Sequence, residues 1–173
     1  LRREEYDRLA QQGFFDGEKV ELIHGMVVRM SPIGPNHADP VDFLNELFVS
    51  SLRSRARVRV QLPFLVGEDS EPEPDVALVP PGRYRDRHPS QAFLVVEIAV
   101  TSLDHDRITK SELYGAAGVP EYWVVDVGGR VVEVRDTLVD GRYTRVRKFT
   151  DEQELHPSAF PDVAVSLKDL FGL

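Results

Sequence analysis

Hydrophobic positions change period several times along the chain, and each change marks an element. From Arg2 to Gln12, Tyr6, Leu9 and Ala10 recur at helical spacing, and Gly13 ends the run, which predicts a short helix. Val20 to Met30 alternates and breaks at His24-Gly25, the pattern of two strands joined by a tight turn. Ser31 to Pro40 holds three prolines and one glycine and reads as loop. Phe43, Leu44, Leu47, Phe48 and Leu52 then return to helical spacing, so Val41 to Arg53 is an amphipathic helix. Ala56 to Val66 alternates again, with Val58, Val60 and Leu62 on one side and Arg57, Arg59 and Gln61 on the other.

Beyond that point the apolar runs become continuous, as in strands covered on both faces. Glu68 to Pro74 is an acidic, proline-bearing turn, and Asp75 to Val79 a short strand cut off by Pro80-Pro81-Gly82. Phe93 to Val100 and Glu121 to Val127 are buried strands, separated by a helix from Arg107 to Ala117 that stops at Gly118 and Pro120. Gly128-Gly129 turns the chain into a hairpin with Val131 to Arg135, and Tyr143 to Phe149 adds a strand. A tail with Val163, Val165, Leu167, Leu170 and Phe171 folds back as a short strand and turn. These elements make an α/β (α+β) domain with a mixed central sheet covered by two helices, and 173 residues suit one domain spanning 1-173.

Composition narrows the picture modestly. There is no cysteine, so disulfides and thiolate metal sites are excluded, which fits a cytoplasmic setting. No apolar run is long enough to span a bilayer and no secretory pattern is present. The chain opens at Leu1 rather than Met, so its natural start is expected upstream. The net charge of −8 argues against a module that holds nucleic acid by overall charge, but not against an enzyme with a local basic patch. Arg53, Arg55, Arg57 and Arg59 alternate; an extended segment would set them on one face, either along a phosphate backbone or as the solvent side of an edge strand. Tyr122, Trp123 and the hairpin after Gly129 offer more aromatic and apolar surface than a small sheet buries, which predicts a symmetric homodimer.

Three charged residues carry the chemistry. Glu97 stands mid-strand among Val95, Val96, Ile98 and Ala99, where an ionised carboxylate is costly unless an arginine or a metal compensates it. Asp75 follows Pro74 and opens a strand; it is either a turn residue or the second acid beside Glu97, the arrangement a hard cation such as magnesium uses. Lys110 shares a helix face with Asp106, Leu113, Tyr114 and Ala117, so it is drawn toward the sheet, to pair with Asp106 or to reach the two acids.

In order along the chain stand Glu21-Leu22-Ile23-His24-Gly25, Met30-Ser31-Pro32, His37, Glu71-Pro72-Glu73-Pro74-Asp75-Val76-Ala77, Val96-Glu97-Ile98, the spacing Ser102, Asp106, Lys110, Tyr114, and Gly118 to Asp126. This ordered set resembles the Uma-type restriction endonuclease family of the PD-(D/E)xK nuclease superfamily. The resemblance implies a restriction-endonuclease-like core and a magnesium- or manganese-dependent endonuclease acting on DNA. Asp75, Glu97 and the backbone carbonyl of Ile98 would be the metal ligands. The superfamily lysine falls two residues after the acid, where this chain has Ala99; the family pattern moves it to the next helix, at Lys110. Glu21, Gln61, His37 and Asp106 are accessory candidates. The alternative is a nuclease fold that no longer cuts and serves as a binding or assembly module.

Overall fold

The computed structural model describes all 173 residues. Helix α1 (Arg3–Gln11) leads into the hairpin β1 (Val20–Ile23) and β2 (Met26–Arg29), a separate two-stranded sheet. Helix α2 (Pro35–Leu52) follows, then strands β3 (Arg57–Val60), β4 (Val76–Val79) and β5 (Leu94–Ala99). A helical arm comes next: α3 (Leu103–His105), a π-turn (Asp106–Lys110) and α4 (Ser111–Ala116). Strands β6 (Glu121–Asp126), β7 (Val131–Val139) and β8 (Arg142–Thr150) complete the main sheet, and β9 (Glu154–Leu155), β10 (Val165–Ser166) and α5 (Leu167–Leu170) close the chain. The main sheet is mixed and runs β3-β4-β5-β6-β7-β8 in sequence order; only β5 and β6 are parallel. That parallel pair needs a crossover, and the helical arm is it.

The sheet is covered on both faces. On one, α2 and the C-terminal elements close over a cluster of 20 buried residues that includes Leu44, Phe48, Leu78, Val96 and Trp123. On the other, the helical arm and the loop around Phe64 enclose 13, including Ala77, Val95, Leu113, Tyr114 and Tyr122. Because successive side chains of a strand point to opposite faces, Val96 and Ile98 enter the first cluster while Val95, Glu97 and Ala99 face the helical arm. The arm is pressed close to the hairpin of β7 and β8: a Cβ on Gly115 would lie 2.5 Å from the Gly141 carbonyl oxygen. The Asp140-Gly141 turn there has φ of 49° and 72°, the left-handed pair that a two-residue hairpin loop requires.

Several expectations are corrected. The loop expected over 31–40 is helical from Pro35, because a proline is well placed in a first helical turn and Pro40 removes only one ladder bond. The strand expected over 56–66 ends at Val60; Gln61 takes φ of 48° and turns the chain out of the sheet. The acidic turn is not fully exposed, for Ser70 and Glu71 are buried against the first hairpin and α1. The four alternating arginines do not form one row: Arg59 is buried against Tyr84 and the Pro63 carbonyl, Arg55 pairs with Asp162, and Arg53 ends α2. Tyr122 and Trp123 are fully enclosed within the chain and offer no surface to a second copy, whereas Val139 and Val146 of the hairpin are exposed. No helix is long and apolar enough to cross a membrane.

Candidate metal centre

Asp75 immediately precedes β4, and Glu97 lies one residue beyond the Val76–Val96 pair in β5, so the two acids are cross-strand neighbours. Both are buried, and both face the helical arm. Their backbones and side chains interlock: the Asp75 amide donates to Glu97 Oε2 at 3.3 Å, and the Ile98 amide donates to Asp75 Oδ2 at 2.8 Å. Antiparallel pairing and the two-residue side-chain period produce this without special backbone geometry.

Each acid is then fixed by further donors. His37, on the first turn of α2, donates Nε2 to Asp75 Oδ2 at 3.1 Å, and Gln61 donates Nε2 to Asp75 Oδ1 at 3.3 Å. Lys19 in turn donates to Gln61 Oε1 at 3.2 Å. The contact with Asp75 raises the His37 pKa, and its Nδ1 is buried without a partner. On the other side, Tyr114 donates to Glu97 Oε1 at 2.6 Å and Lys110 donates to the same oxygen at 3.3 Å.

Lys110 is 3% exposed and bridges Glu97 to Glu21, whose Oε2 lies at 2.6 Å. Burial alone would lower its pKa, but Glu97 and Glu21 outweigh that and raise it, so the ammonium is charged. Asp106, the bland partner on its own helix, instead accepts from Ser102 Oγ at 2.5 Å and faces the same cleft. The π-turn belongs to this arrangement. It sets Lys110 and Tyr114 on one carboxylate oxygen, and Tyr122 donates to the Asp106 carbonyl within it at 3.0 Å. Such turns are frequent at functional sites.

Burial pushes the Glu97 carboxyl well above its ordinary range despite Lys110, and it raises Asp106 and Glu73 as well. The cleft they line, together with Glu21, Asp75 and the Ile98 backbone, has a volume of about 600 Å³. Glu21, Glu73, Asp75, Glu97 and Asp106 line it against Lys19, Arg29 and Lys110, and its donors are hard oxygens, which suits a magnesium-type cation. No three histidine or acid side chains are gathered to hold an ion unaided. Magnesium sites of the kind that take one or two carboxylates and complete the shell with water and phosphate need no such cage.

Of the residues singled out from sequence, the structure brings Asp75, Glu97, Lys110, Glu21, His37, Gln61, Asp106 and Ile98 to one cleft. Sequence reasoning set Tyr114 on the helix face and in the family spacing without giving its hydroxyl a role, left Glu73 in an acidic turn away from the cleft, and passed over Lys19. A buried tyrosine on the face that carries Lys110 was the available signal for the first. For the other two no signal exists, because the hairpin brings Lys19 to Gln61 only in three dimensions.

A solved structure titled "a putative nuclease belonging to DUF820", from Anabaena variabilis, superimposes with a TM-score of 0.79 at 19% identity, covering 99% of this chain and 97% of that one. At that identity the likeness shows the fold. None of the curated proteins matches. The family model described as "Putative restriction endonuclease" matches residues 3–168, and that family supports a nuclease. The chain belongs to the Uma2 family.

Proposed function

We propose that the protein is a divalent-metal-dependent endonuclease that hydrolyses phosphodiester bonds of DNA, with Asp75, Glu97 and the Ile98 carbonyl as ligands of magnesium or manganese. The observation that carries the reading is the cross-strand pair of buried acids with the Lys110 ammonium on one of them. A bound divalent ion at such a pair supplies charge neutralisation for the scissile phosphate and a water of lowered pKa.

The chain's own groups do the rest. Lys110 and Tyr114 share Glu97 Oε1, which leaves Oε2 directed to Asp75, where the Asp75 amide meets it. Ile98 N–H, Gln61 and His37 hold both oxygens of Asp75, so neither acid is free to rotate away. Lys110 keeps a positive charge at the cleft floor, where it stabilises negative charge on the phosphate or orients the attacking water. Glu21 keeps the ammonium in place from the opposite side.

Incubation of supercoiled plasmid with magnesium tests the reading. The wild-type chain should nick or linearise it and the Glu97→Gln variant should not. DNA bound but left intact by the wild-type chain in both magnesium and manganese would instead make it a non-cutting member of the fold.

A further inference from the structure

The net charge of −8 hides a local reversal at the far edge of the main sheet. Strand β8 carries Arg142, Arg145, Arg147 and Lys148 and no acid. Its two faces are used differently. On the face shared with α2, Arg145 and Arg147 bracket Asp136 at 2.5 and 2.8 Å. On the face shared with the helical arm, Arg107, Arg135 and Lys148 surround Glu133 at 2.7, 2.9 and 3.4 Å. Glu133 is only 2% exposed, so it shows no negative charge outward, whereas the Lys148 side chain is 65% exposed and that of Arg107 29%.

Register ties this cluster to the cleft. Glu97 pairs with Val124, Val124 with Glu133, and Glu133 with Lys148, one level row across four strands. Three strand spacings amount to about 14 Å. Duplex DNA presents one charge per roughly 1.7 Å of axis, so about eight phosphates, or four base pairs, fit that span. The π-turn supplies both Lys110, on the cleft side, and Arg107, on the β8 side.

We infer that the Arg107–Arg135–Lys148 face is a docking surface for the phosphate backbone of the nucleic acid whose scissile group enters the cleft. The inference rests on the nuclease reading for the identity of the polyanion. Guanidinium and ammonium groups level with the acids hold the duplex where the acidic cleft alone would repel it. A plain aggregation-blocking role of edge cations would need no such alignment with the acids.

Adjacent residues of one strand give a matched test. Lys148→Gln and Arg147→Gln each remove one positive charge, from opposite faces of β8, and each leaves its acid another cation: Glu133 keeps Arg107 and Arg135, and Asp136 keeps Arg145. Binding of a fluorescein-labelled duplex of about 20 base pairs is followed by anisotropy in EDTA between about 50 and 200 mM salt, where counterion release sets the slope. Lys148→Gln should weaken binding several-fold and reduce the slope of log affinity on log salt by about 0.9, the loss of one phosphate contact. Arg147→Gln should change it by less than half as much. Equal effects of the two variants, no effect of either, or no binding by the wild-type chain would overturn the surface. Plasmid cleavage is scored separately: cutting without a Lys148 effect removes the surface alone, and a Lys148 effect without cutting removes the nuclease reading alone.

Discussion

On one face of the main sheet, Leu44, Phe48 and Leu52 of α2 close over Leu78, Val96, Ile98 and Trp123, and the buried Glu121 carboxylate is taken up by Trp123 Nε1 and the Ser158 amide. On the other, Val95, Tyr114, Tyr122 and Val124 pack no less tightly, but Glu97 and Lys110 stand among them and Glu21, Asp75 and Asp106 line the cleft beside them. The same strands build both. Val96 and Glu97 are neighbours in sequence, and only the side-chain alternation sends one into a dry core and the other into a charged cluster. The contrast shows a division of labour: the α2 face supplies cohesion, and the arm face tolerates costly buried charge because the rest of the fold holds it there.

If that division is real, variants on the two faces should fail in different ways. Phe48→Ala, in the centre of the apolar face, should lower stability by about 3–5 kcal/mol in urea unfolding. A loss below about 1 kcal/mol would mean that α2 is not what stabilises the sheet. Lys110→Met, on the charged face, should leave a folded chain while plasmid cleavage drops about 100- to 1000-fold, the cost of losing one group that meets transition-state charge. Unchanged cleavage would remove Lys110 from the mechanism and with it the displaced lysine. Tyr114→Phe keeps the ring and deletes only the hydroxyl that holds Glu97 Oε1. Manganese affinity by titration calorimetry should fall about 10- to 100-fold, as for other groups that orient a metal ligand. An unaltered affinity would show that Lys110 alone fixes the carboxylate.

The smallest expected effect sharpens the comparison outside the cleft. Burial pushes the Glu71 carboxyl from the usual 4.5 up to about 7, with Asp7 adding to the shift and Arg3 opposing it. A raised folded-state value means that the native state holds this proton more tightly than the unfolded chain. The stability it contributes is full below about pH 4.5, is lost as pH rises, and is gone above about pH 7. Glu71→Gln removes that dependence. The variant should match the wild type near pH 4 and exceed it by about 1–2 kcal/mol at pH 8, the figure being reduced for partial solvent screening. Parallel stability curves across that range would place the charge-burial cost elsewhere.

Much of this was legible in the residues, for definite reasons. Continuous apolar runs around Glu97 and Trp123 announce doubly covered strands, and helical spacing through Leu113 and Tyr114 directs Lys110 inward. Local chemistry hid the rest. Pro35 and Pro40 look like loop markers, yet the first opens a helix and the second costs it one bond, which put His37 on a helix instead of a loop. The π-turn leaves no pattern, because a one-residue widening needs no particular residue type, and the Tyr122 hydroxyl that meets its Asp106 carbonyl lies 16 residues on. Glu21 is an accessory candidate from the sequence, but only the fold of the first hairpin makes it the nearest partner of Lys110. Glu71 sits in an acidic, proline-rich stretch that looks solvated; α1 covers it, a contact about sixty residues away in sequence that no local window contains.

The central claim is that Asp75 and Glu97 form one cation site. A crystal of the wild-type chain soaked in manganese, with anomalous data collected near the manganese edge, tests it directly. A single strong peak contacting both carboxylates and the Ile98 carbonyl at about 2.1 Å is expected, with the Lys110 ammonium still on Glu97. A peak bound elsewhere, or none at saturating manganese, would contradict it.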